Sequence, residues 1–165
     1  MLARTENVPK ELIVHNSGDN TPAPQLCKID NWHRDRGFSF SLCGYYVGYH
    51  YLISRDGKVA QTRNDFEEGA HCKGHNFSSL GICLEGDFDT EDTTEAQRTA
   101  LGRLLVEKTR KYWIPSKKIV PHRTFGKTNC YGERLSDDWA RLIYEAAETN
   151  WIYRTINHLL NYCTS

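Results

Sequence analysis

The stretch Val120-Pro121-His122-Arg123-Thr124-Phe125-Gly126-Lys127-Thr128-Asn129-Cys130-Tyr131-Gly132 sets a histidine and a cysteine eight residues apart on one polar, glycine-containing loop. Imidazole and thiolate are donors that suit Zn²⁺, and a loop of that length can fold both onto one ion. Two donors do not make a catalytic zinc site, which takes a third protein ligand and keeps a fourth position for water. His15 is the candidate third ligand. It stands at the exit of the apolar run Glu11-Leu12-Ile13-Val14-His15-Asn16, which reads as a strand in the sheet centre, and sites in such sheets gather at the ends of central strands. Taken alone, His15 is read first as a buried, hydrogen-bonded histidine.

Around these residues the chain alternates helical and strand patterns. Residues 25–36 read as a helix, with Leu26, Ile29, Trp32 and His33 at helical spacing and Gly37 ending it. Residues 46–54 read as an alternating strand with Val47, Tyr49, Tyr51 and Ile53 on one face and Gly48, His50, Leu52 and Ser54 on the other. Arg55-Asp56-Gly57-Lys58 is a hairpin turn, Lys58–Arg63 the return strand, and Leu80–Glu85 an apolar, central strand. Thr94-x-x-Gln97 is a capping box that opens a helix to about Trp113 with a core stripe of Leu101, Leu104, Leu105 and Tyr112. Lys117–Pro121 is a short strand that feeds the His/Cys loop. Ser136 reads as the cap of another helix whose buried stripe is Trp139, Leu142, Ile143, Ala146 and Ala147. Strands and helices alternate, so the expected fold class is mixed α/β: a central mixed sheet of about five strands flanked by helices, in a single domain.

Composition narrows the function. The 165 residues, 39% hydrophobic, suit one domain. Lys+Arg 21 balances Asp+Glu 21, which argues against nucleic acid as a partner, since phosphate binding draws on a basic excess. No apolar run approaches the roughly 20 residues of a membrane span, so no integral membrane segment is expected. Met1-Leu2-Ala3-Arg4-Thr5-Glu6-Asn7 has no apolar core of a signal peptide, and the expectation is a protein made and folded in the cytoplasm. The six cysteines, at 27, 43, 72, 83, 130 and 163, show no disulfide framework and are expected as free thiols in a reducing compartment.

Five segments, in order, are similar to the zinc-dependent N-acetylmuramoyl-L-alanine amidases of the T7 lysozyme and peptidoglycan-recognition-protein superfamily. They are Ile13-Val14-His15-Asn16-Ser17; Val47-Gly48-Tyr49-His50-Tyr51 through Gly57; Gly69-Ala70-His71-Cys72-Lys73-Gly74-His75-Asn76; Ser79-Leu80-Gly81-Ile82; and Pro121-His122-Arg123 with Thr128-x-Cys130. The resemblance covers roughly residues 11–147. It implies that His15, His122 and Cys130 bind one Zn²⁺ per chain and that Tyr49 is the catalytic tyrosine. Thr128 stands where T7-type enzymes carry Lys and recognition proteins often carry Thr, and is expected to take a catalytic part by orienting the water or the tetrahedral intermediate. The implied reaction is hydrolysis of the amide between N-acetylmuramic acid and L-alanine in peptidoglycan, as in a phage endolysin: a monomer made in the infected cell that acts on the wall after release. The alternative is a module that binds muramyl peptides without cutting them; the retained Cys130 argues against it.

For the neighbours, two readings stay open. Tyr49 is otherwise a packing aromatic. His71 and Asn76 fall in the segment that matches the family's substrate groove, and are otherwise a structured turn held by Asn76 and the glycines. Arg123 holds a substrate carboxylate or its own loop, or is otherwise a solvated loop charge. His75 stands where relatives usually carry Tyr or Trp, and Tyr131 where many have Pro. His50, on the face opposite Tyr49, is left out of the site. The catalytic domain is expected to span 1–149. Residues 150–165 are expected as a C-terminal amphipathic helix packed on it through Ile152, Ile156, Leu159, Leu160 and Cys163, with a membrane-surface or dimer contact as the alternative.

Overall fold

The computed structural model describes residues 6–22 and 24–162, and at 153–154 and 156–162 the backbone only. The apolar runs form a five-stranded sheet in the order β3-β2-β4-β1-β5. Its strands are β1 (Glu11–Asn16), β2 (Tyr51–Ile53), β3 (Val59–Gln61), β4 (Ser79–Leu84) and β5 (Ile119–Pro121). β4 is parallel to β1 and β2, β1 is parallel to β5, and β3 closes an antiparallel hairpin on β2. The hairpin turns at Gly57, whose φ of 82° is open to glycine at little cost. β4, buried along its whole length, is the middle strand, and β1 lies next to it.

The sheet separates two cores. On one face, Leu12, Val14, Tyr51, Ile53, Leu80, Ile82 and Leu84 pack under α2 (Glu95–Tyr112) and α3 (Trp139–Tyr162) through Leu101, Leu104, Leu105 and Ala140. On the other, Leu52, Val47 and Cys83 pack with Ile29 of α1 (Leu26–Asp35). α2 starts at the expected capping box: Thr94 Oγ1 accepts the Gln97 N–H, and the Gln97 side chain accepts the Thr94 N–H.

Three expectations are corrected. The strand expected at 46–54 is regular only over Tyr51–Ile53. Bends at 48–50 break the two-residue period, so Tyr49 packs with Val47 and Leu52 while Tyr51 and Ile53 face the other core. The last helix begins at Trp139, with the Trp139 N–H bonded to the Ser136 carbonyl. Its inward face carries Ala140, Ile143, Tyr144 and Ala147, whereas Leu142 is 54% exposed and Ala146 is exposed, because the stripe is set by where α2 lies. Finally, α3 runs unbroken through 150 to Tyr162 rather than ending before a second helix. The side chains of Ile156, Leu159, Leu160 and Cys163 lie outside the described residues. Trp151 is half-exposed, with the Arg110 guanidinium 3.2 Å from its ring centroid.

Candidate metal centre

The sheet register assembles the centre. Val14 pairs with Pro121, so the residue that follows each, His15 and His122, leaves the same edge side by side. Their ring centroids are 4.6 Å apart. The loop after β5 then returns Cys130. The Arg123 N–H donates to the Cys130 carbonyl at 2.9 Å, the Cys130 N–H donates to Thr128 Oγ1 at 3.2 Å, and the Asn16 N–H donates to Cys130 Sγ at 3.4 Å. Sγ lies 3.7 Å from His15 Nδ1, and the donor atoms of His15, His122 and Cys130 all fall within 4.8 Å of one another. Two imidazoles and a thiol converging at that spacing fit Zn²⁺ in donor type and number, with a fourth position left over.

Electrostatics favour neutral imidazoles here. Burial, with the charge of His122 adding to it, holds His15 well below the ordinary histidine value, and burial also lowers His122. Burial pushes the Cys130 thiol up to about 11, so a cation must displace its proton. Tyr49 is half-buried with its ring centroid 5.0 Å from that of His15. Burial raises its hydroxyl well above the usual range, so it stays a proton donor at neutral pH.

Arg123 donates to Asp137 at 2.5 Å and to the carbonyls of Gly132 and Leu135 at 2.8 and 2.5 Å. Its guanidinium is thus committed to holding the 122–135 loop. Tyr131, fully buried beside Trp139, reaches the carbonyls of Ser136 and Asp137 and braces the same loop. His71 is only 8% exposed and lies behind His15, with Nδ1 3.1 Å from His15 Nε2. Asn76 Oδ1 accepts the N–H groups of His71 and Cys72 at 3.0 and 2.9 Å, the turn-holding arrangement. His75 pairs with Glu11 and packs against Phe125 of the loop that carries Cys130, the ring centroids 3.7 Å apart and tilted by 31°.

Sequence reasoning did not bring His71 to His15, nor His33 to Tyr49. His33 is buried, accepts the Gly48 N–H at Nδ1 (3.0 Å), and sits 5.7 Å from the Tyr49 ring. A signal for His71 was present: Gly69 and Gly81 sit outside left-handed backbone, and each lies against the His71 ring. Glycines of that kind mark close approach rather than a turn.

Fold and cluster together define a class, a mixed α/β domain that gathers a His–His–Cys donor set at one edge of a largely parallel sheet. The family model for N-acetylmuramoyl-L-alanine amidase (Amidase_2) matches residues 5–133, and the chain belongs to that family. It is 39% identical over 119 residues to the endolysin of Klebsiella phage KP32, covering 69% of this chain and 74% of that one. It is 38% identical over 90 residues to the endolysin of Escherichia phage T7, covering 52% of this chain. The match spans 56% of the T7 protein, a little over half its length. Among solved structures, the amidase LysC from Clostridium intestinale URNW superposes with a TM-score of 0.71 at 32% identity, covering 82% of this chain and 85% of that one.

Proposed function

We propose that this chain is a zinc-dependent N-acetylmuramoyl-L-alanine amidase of the endolysin type. It would hydrolyse the amide that joins the lactyl group of N-acetylmuramic acid to L-alanine in bacterial peptidoglycan, acting as a monomer on the wall after release from the cell that makes it. The convergence of His15, His122 and Cys130 beside Tyr49, in a chain of this family, carries the reading.

His15, His122 and Cys130 would hold one Zn²⁺. Bound there, the ion supplies Lewis acidity to a carbonyl and makes hydroxide available from water near neutral pH. Tyr49 keeps its proton and donates a hydrogen bond to the oxyanion that develops on the attacked carbonyl. Thr128 uses its oxygen to accept the Cys130 N–H, which leaves its own O–H free to orient a polar group between the two loop ligands. Addition of water across the amide frees the lactyl carboxylate and the L-alanine amine. Arg123 and Tyr131 act by holding the loop.

The test is digestion of purified peptidoglycan by zinc-replete and chelated protein, with zinc per chain measured. New L-alanine amino termini without new reducing sugar ends are expected, lost on chelation and in Cys130→Ala. Reducing ends, or cleavage that survives both chelation and Cys130→Ala, would overturn the reading. Binding of muramyl peptide with no cleavage by the zinc-replete protein would favour the binding module.

A further inference from the structure

His71 is a buried histidine with a fixed set of partners. Its backbone N–H is tied to Asn76 Oδ1, and its ring lies against Gly69 and Gly81. A Cβ added at Gly81 would lie 2.5 Å from His71 Cγ, and one added at Gly69 would lie 2.5 Å from Cδ2. The ring stands edge-on to His15 at 89°, with centroids 5.1 Å apart. Its two nitrogens meet different groups: Nε2 is 3.4 Å from Ser79 Oγ and Nδ1 is 3.1 Å from His15 Nε2.

Proton positions follow from the far end of this chain. The Ser79 hydroxyl donates to the His75 carbonyl at 2.7 Å. Its oxygen therefore offers a lone pair to His71, and a neutral His71 carries its proton on Nε2. His71 Nδ1 is then an acceptor, which His15 satisfies only by carrying its own proton on Nε2. That leaves His15 Nδ1 bare, and Nδ1 is the atom 3.7 Å from Cys130 Sγ. Metal-binding histidines commonly have their tautomer set by the partner of the other ring nitrogen.

We propose that His71 is a positioning residue that holds His15 in the Nε2–H tautomer and so presents Nδ1 as the metal donor, an inference that rests on the zinc reading above. Ser79, Gly69, Gly81 and Asn76 form the mount that holds His71 in place. His71 thereby acts on the metal through His15.

The test uses the full chain, zinc-free and zinc-loaded. In zinc-free wild type, ¹⁵N imidazole spectra should show His15 protonated at Nε2. His71→Leu should lose that preference and weaken zinc binding, read by chelator competition, by about 10–100-fold. His71→Asn keeps an acceptor oxygen near the Nδ1 position and should stay much closer to wild type. Where thermal melts show His71→Leu unfolded, His71→Gln replaces it with the same expected loss, since its amide reaches towards Ser79 instead of His15. A wild-type His15 protonated at Nδ1, or folded His71→Leu (or its Gln replacement) with unchanged zinc affinity, would overturn the proposal. Wild type that takes up no zinc overturns the metal reading and the donor role with it, while the tautomer measurement decides the His15–His71 bond by itself.

Discussion

Gly81→Ala perturbs the centre without altering any donor atom. Gly81 is the third residue of β4, in the middle of the sheet, where its N–H donates to His50 Nδ1 at 3.0 Å and its carbonyl accepts the His50 N–H at 2.8 Å. The new methyl would lie 2.5, 2.6 and 2.7 Å from Cγ, Cδ2 and Nδ1 of His71. Ordinary contact begins near 3.4 Å, so the ring must retreat by about 0.9 Å, although it is already packed against the rings of His15 and His50. Neither β4 nor the Asn76-tied turn can yield readily, and overpacking of this kind costs about 1–3 kcal/mol. For a domain of this size each kcal/mol lowers Tm by about 2–4 °C, so a fall of roughly 2–12 °C is expected in the zinc-free protein. Displacing His71 from His15 should also weaken zinc binding by about tenfold or more. Calorimetry under chelation and zinc competition measure the two effects separately. Gly126→Ala is the control: it lies in the metal loop with nothing within 4 Å of an added Cβ and should change stability by less than about 0.5 kcal/mol. A Gly81→Ala protein as stable and as zinc-avid as Gly126→Ala would show that close packing at Gly81 does not hold His71 against His15.

Three further outcomes are expected. Asp65 is buried and accepts from Tyr51 and Tyr112 hydroxyls and from Lys108 and Lys111 ammonium groups. Burial pushes its carboxyl up, but these donors, Tyr112 foremost, prevail and hold it at about 2. Its contribution, about 2 kcal/mol, is complete above the ordinary carboxylate range and is lost as pH falls towards 2, so acid unfolding curves of wild type and Asp65→Asn should converge at low pH; curves separated equally at pH 7 and pH 2 would disprove this. Thr94→Ala removes the oxygen that caps α2 and should lower stability by about 1 kcal/mol without changing zinc affinity, which melts and chelator competition would read. Arg123→Ala strands the carbonyls of Gly132 and Leu135 and loosens the loop that carries Cys130, so zinc affinity should drop, with Arg123→Lys recovering little because an ammonium cannot fork between them. A loss confined to KM, with zinc affinity intact, would instead return Arg123 to a substrate role.

Local patterns in the chain were enough to specify the parts that local chemistry writes. The apolar run 11–16, the Asp56-Gly57 turn and the Thr94/Gln97 box each became the expected element, because their patterns act over a few residues. The donor types were equally legible: His15, His122 and Cys130 were singled out by residue type and by resemblance, and they do come together. Relations between distant segments were legible only once the chain was folded. The meeting of His15 with His122 depends on β1 and β5 pairing in parallel at Val14 and Pro121, a register no local pattern encodes. Tyr49 reached His15 through bends at 48–50 that break the alternation, since backbone pairing with Gly81 and Thr62 there outweighed strand period. Leu142 and Ala146 kept helical spacing yet face outward, because the direction of α2 chooses which stripe of α3 is covered. His71 shows the difference most directly. Its segment left open a groove contact or a structured turn, and only close packing against two glycines in separate segments brings its Nδ1 to His15.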